Sequence, residues 1–68
     1  MKYNLGDQIK VIHINYEHGK RVQPPLPRII GMHGVIIKPS LNEEKAYHIK
    51  LVNGKNVLLY DDEIKKLF

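Results

Sequence analysis

The chain has 68 residues, no cysteine and a formal net charge of +4 at pH 7. That length holds one domain, residues 1–68, with a core that is marginal without outside help. The absence of cysteine excludes disulfides and thiolate metal sites as that help, and fits a reducing cytoplasm. No apolar run nears the roughly 20 residues of a membrane span. "MKYNLGDQIK" lacks the apolar core of a signal peptide, so a cytoplasmic protein is expected.

"LGDQIKVIHI" opens with a turn signal, Gly6-Asp7, and continues as a β-rich run. Alternation puts Ile9, Val11 and His13 on one face and Lys10, Ile12 and Ile14 on the other. Both faces carry apolar residues, so cover on both sides and a half-buried His13 are expected. Residues 15–33 have neither helical nor strand periodicity, and a loop of that length is usually functional or disordered. A second strand runs from about Gly34 to Lys38 and stops at Pro39. "SLNEEKA" is a polar connection. "YHIKLV" alternates, with Tyr47, Ile49 and Leu51 facing one way and His48, Lys50 and Val52 the other. Asn53-Gly54 then predicts a hairpin with a type I′ turn, and "KNVLLY" is its return strand. "DDEI" predicts one helical turn capped by Asp61, and "KKLF" a closing strand. The expected fold is all-β: a small five-stranded SH3-like barrel with a long first loop and a terminal single helical turn. Barrel closure would remove exposed sheet edges.

These segments resemble the SH3-like domain of the nitrile hydratase β-subunit. The likeness is carried by Gly6, Asp7, Ile9, Val11, Leu26, Pro27, Arg28, Gly31, Gly34 and Val35. "DDEIKKL" is similar to the closing turn of two accessory subunits with this barrel. These are the ferredoxin–thioredoxin reductase variable chain and the small stromal subunit of photosystem I. KOW-type barrels share the glycine-containing strands less closely. The resemblance implies the barrel fold and a non-catalytic role packed against a partner. The helical part of the nitrile hydratase subunit is missing here. So is any cysteine cluster, which in that family the partner subunit supplies to the metal. Nitrile hydration is therefore not expected of this chain.

The charge excess sits in the N-terminal half. Residues 1–38 carry six Lys or Arg against Asp7 and Glu17, whereas residues 39–68 carry five Lys against five acids. No acid falls between Lys20 and Lys38, a pattern that suits an anionic partner. Lys20, Arg21 and Arg28, with Tyr16 and His18, form the candidate contact surface, extended by Lys10 and Lys38 if their strands are neighbours. Arg grips phosphate through its planar fork, Lys as a point charge, and an exposed Tyr can stack on a base. DNA or RNA is the expected partner, contacted through the basic proline-containing loop, residues 16–33.

The segment "PPLP" would favour polyproline II, and Arg21-x-x-Pro24-x-x-Pro27 has the spacing of an SH3 ligand. Its place between two strands favours instead a stiffened loop whose Leu26, with Ile29 or Ile30, caps the barrel. Leu26, Ile29 and Ile30 are also the candidate residues for the alternative, docking onto a protein partner. A homodimer burying Ile12, Ile14 or Tyr60 is a third possibility. The histidines, His13, His18, His33 and His48, match no short chelating motif, so no metal or cofactor is expected. Glu43-Glu44 and Asp61-Asp62-Glu63 come with no nucleophile, and "GMHG" lacks the Lys-Ser/Thr of a phosphate loop. Gly31 and Gly34 are expected at a turn and a close strand crossing, and no enzymatic activity is expected.

Overall fold

The computed structural model describes residues 3–18, 27–41 and 44–68. Five strands form one antiparallel sheet: β1 (Gln8–Val11), β2 (His33–Pro39), β3 (Ala46–Leu51), β4 (Asn56–Tyr60) and β5 (Ile64–Lys66). Their spatial order is β4-β3-β2-β1-β5. Short 3-10 turns at Pro27–Ile29 and Asp61–Glu63 precede β2 and β5. The all-β class and the five strands are as the sequence predicts. No helix among the described residues is long and apolar enough to cross a membrane.

The sheet is not closed into a barrel by hydrogen bonds, because β4 and β5 are its two edges. It is nonetheless forced to curl. Laid flat, five strands would hold the edges about 19 Å apart. The three residues of the second 3-10 turn join β4 directly to β5, and fully stretched that link reaches no more than about 14 Å. Two features of β2 permit the curvature. A register shift at Ile37, between the Ile36–Ile49 and Lys38–His48 pairs, bends the strand. Gly34 lies where a Cβ would come within 2.9 Å of both Ile49 Cγ2 and the Lys50 carbonyl oxygen. The expected close crossing is therefore real.

Ile9, Val11, Ile36, Ile49, Leu59 and Ile64 form the buried centre of the concave face, with Tyr47, Leu51, Ile14 and Ile29 around them. The N-terminal segment crosses the open side. Tyr3 packs edge-on against Tyr47, with ring centroids 5.6 Å apart, and its hydroxyl donates to the Ile64 carbonyl at 3.2 Å. One side chain thus links β3 to β5.

Three local expectations are corrected. Regular β1 stops at Val11, and the alternation reverses, leaving His13 exposed and Ile14 buried. The cause is the Glu63 carbonyl, which accepts from both Ile12 N (3.0 Å) and His13 N (3.4 Å) and kinks the chain. Ile12 is exposed, so the outer side of this strand is not covered. The Asn53-Gly54 hairpin is not type I′, since among the described residues only glycines have positive φ. Gly54 N donates to Leu51 O, and Gly54 alone, at φ 87°, takes the left-handed position, giving a type I turn with a following bulge. Asn53 contributes through its side chain, whose Oδ1 accepts from Lys55 N at 3.0 Å.

Gly34→Ala is expected to destabilise the fold by about 1–3 kcal/mol, since the facing carbonyl cannot move aside without opening the sheet. A urea titration checks this.

Candidate nucleic-acid interface

The loop that follows β1 begins anchored. Glu63, fully buried, directs one carboxylate oxygen to Asn15 N at 2.7 Å and the other to Tyr60 N at 2.9 Å. A buried charge is tolerable only when so bonded. The second 3-10 turn is thus braced by its own third residue reaching back to the preceding amide, as in a capping box. The cap expected from Asp61 is not formed: the N-cap position is Tyr60, and the Glu63 carboxylate bonds the Tyr60 amide rather than the amides beyond Asp61.

Outside this bond lies a second clamp. The His18 ring stacks on Tyr60, with centroids 3.7 Å apart and planes 10° apart, and its Nε2 lies 2.9 Å from Asp62 Oδ1. Asn15 Nδ2 donates to Asp62 Oδ2 at 3.2 Å. Burial pushes the Asp62 carboxyl up. The hydrogen bonds from His18 and Asn15, with the charge of His18, outweigh that and hold it below the usual carboxylate range. His18, expected on a contact surface, therefore works as a loop anchor in this geometry. Tyr16 is exposed beside it.

Of the other expected contact residues, the described ones, Arg28, Lys10 and Lys38, do not form one cluster. Lys20, Arg21 and Leu26 lie outside the described residues. Arg28 is exposed on the first 3-10 turn. Ile29, expected as a docking residue, is in the core, because that turn folds inward to cap it; Ile30 remains about half exposed. Ile14 and Tyr60, expected on an outer dimer face, are also core residues, which leaves Ile12 from that set. Lys10 and Lys38 do stand on neighbouring strands, β1 and β2. Lys10 pairs with His33 at the start of β2, whereas Lys38 is near its end, about 17 Å further along the strand. They do not form one cluster.

Lys10 instead gains neighbours that sequence reasoning missed. Ile9 and Val11 face the core, so Lys10 faces outward, with His33 directly across on β2 and Lys65 directly across on β5. The adjacent outward row holds Gln8, Val35, Lys50 and Asn56. Side chains opposite each other on one face stand about 5 Å apart at Cβ. Three lysines and a histidine therefore share the convex face with no carboxylate in either row. Among the described residues the ion pairs are His18–Asp62 and a 3.8 Å contact between Lys66 and Asp7, neither on these rows. The missed signal was the outward parity of Lys50, readable in "YHIKLV"; the register that sets Lys65 beside Lys10 was not readable. No three His, Cys, Asp or Glu side chains among the described residues are grouped to hold a metal ion.

Two tests address the anchors. Glu63→Gln keeps the shape but turns an NH2 toward a backbone N–H, and is expected to cost about 2 kcal/mol in urea unfolding. For Asp62, a lowered folded pKa means a contribution to stability that is present above about pH 4 and is lost as pH falls through the folded value. Asp62→Asn is expected to flatten the acid limb of stability against pH between pH 5 and the lowered pKa.

Comparison with known proteins finds no matching family model, no matching curated protein and no matching solved structure.

Proposed function

We propose that this chain is a non-enzymatic binding module whose convex sheet face takes nucleic acid. The observation that carries the reading is the row Lys65, Lys10 and His33, with Lys50 beside it and no acid among them. Like charges directly opposite on a sheet are destabilising. A phosphate backbone is the partner that reverses the sign of that interaction, since each neutralised phosphate also releases bound counterions. Arg28 is exposed on the turn leading into His33, and Lys20 and Arg21 precede it in sequence, so the basic loop adds positive charge to the same part of the chain.

A second reading is supported by Ile12 and Ile30. These two, 46% and 47% exposed, flank the Gly31 N to Val11 O bond and give one end of the sheet an apolar spot suited to a protein partner. Such docking is the role implied by the resemblance to accessory barrels.

Lys65→Glu separates the two readings. It replaces a repulsive cross-strand pair by an attractive one, so thermal stability is expected to rise by a few tenths of a kcal/mol. Binding to labelled oligonucleotides, read by fluorescence anisotropy at low salt, is expected to fall. A Lys65→Glu variant that binds as well as the parent overturns the proposal. Loss of a partner only with Ile30→Asp favours docking.

A further inference from the structure

The outer rows also bear on which form of nucleic acid they accept. Proteins that hold single strands without sequence preference stack successive bases on exposed aromatic rings lining a basic groove. This chain has four tyrosines, one phenylalanine and no tryptophan. Tyr3, Tyr47 and Tyr60 are spent in the core. Tyr16 and Phe68 are exposed, but they lie beyond opposite ends of β1. Tyr16 follows the kink after Val11, whereas Phe68 follows Leu67, whose N–H bonds to Gln8 O at the start of that strand. Tyr16 also stands between Asn15 and Glu17, on the segment tied to Asp62, where fixed negative charge opposes a phosphate. Residues 19–26, "GKRVQPPL", contain no aromatic.

What remains among the described residues of the convex face is charge with one imidazole, His33, and no Tyr, Phe or Trp on which successive bases could stack. Lys65, Lys10 and His33 span about 10 Å across three strands, and Lys50 lies one row along and one strand further. A duplex offers one phosphate charge per about 1.7 Å of its axis, twice the density of one strand. A single imidazole cannot stack successive bases of a strand, so density of charge decides.

We infer that the convex face formed by Lys10, Lys50, Lys65 and His33 binds the phosphate backbone of a duplex in preference to a single strand. This rests on the proposed reading of that face as a nucleic-acid surface.

The test is equilibrium anisotropy of the full chain with a mixed-sequence DNA duplex and with each of its strands, in about 50 to 200 mM salt. Three lysine contacts predict a duplex affinity that falls about 40-fold over that range, against about 18-fold for three contacts to a single strand. The duplex is expected to bind more tightly than either strand. Replacing Lys10, Lys50 and Lys65 together by Gln is expected to remove most of that salt dependence; circular dichroism and thermal melting confirm that the variant is folded. Single strands bound as tightly as the duplex, or more tightly, overturn this inference while leaving the proposed function standing. A duplex salt dependence unchanged in the folded triple variant overturns the assignment to this face. Absence of binding to either form at the lowest salt overturns the proposed function itself.

Discussion

Three residues connect the opposite edges of a five-stranded sheet, and the rest of the molecule answers to that constraint. A link so short cannot span a flat sheet, so the sheet curls, and curling creates the enclosed face on which Ile9, Val11, Ile49 and Leu59 are buried. The same three residues must also hold the edges in place. Glu63 does so from inside, with both carboxylate oxygens bonded to amides and its carbonyl shared by Ile12 and His13. Asp62 does so from outside through His18 and Asn15. Tyr3 spans the gap that strand pairing leaves open. In a domain too small for a large core, polar bonds at one junction do the work that additional apolar layers do elsewhere.

That arrangement redistributes charge. Residues 39–68 are electrically balanced as a sequence, yet their acids and bases are segregated in space. Glu63 is sealed in the interior and Asp62 is engaged with His18, whereas Lys50 and Lys65 project from the convex face. Acids used to brace backbone amides are not available to neutralise surface lysines. The positive face is thus partly a by-product of how the two sheet edges are joined.

Much of the fold was legible in local signals. Alternation in "YHIKLV", the Asn-Gly hairpin, the turn at Gly6 and the single helical turn at "DDEI" each act within a few residues, so the sequence displays them directly. What failed was non-local. His13 and Ile14 exchange faces because of a carbonyl far along the chain, and no periodicity near residue 13 encodes that bond. An inward fold is expected of Ile29 or Ile30, but which of the two turns inward is set by the 3-10 turn. The basic row is invisible for the same reason: Lys10, His33 and Lys65 become neighbours only through pairing register. A half-by-half charge count averages over acids and lysines that the fold separates, so it could not display this row.

The junction also sets when the protein can exist. Tyr3 meets Ile64 across 61 positions, and β1 gains its second neighbour only when β5 is present. Such long-range closure slows folding, since chain entropy is lost before the contact rewards it. On the ribosome, β2, β3 and β4 can pair as hairpins while β1 waits with one edge bare and the amides of Tyr60 and Asn15 lack their carboxylate. Completion is therefore confined to the moment after the last strand emerges from the exit tunnel, and a chain truncated before Glu63 would be left with its apolar face open.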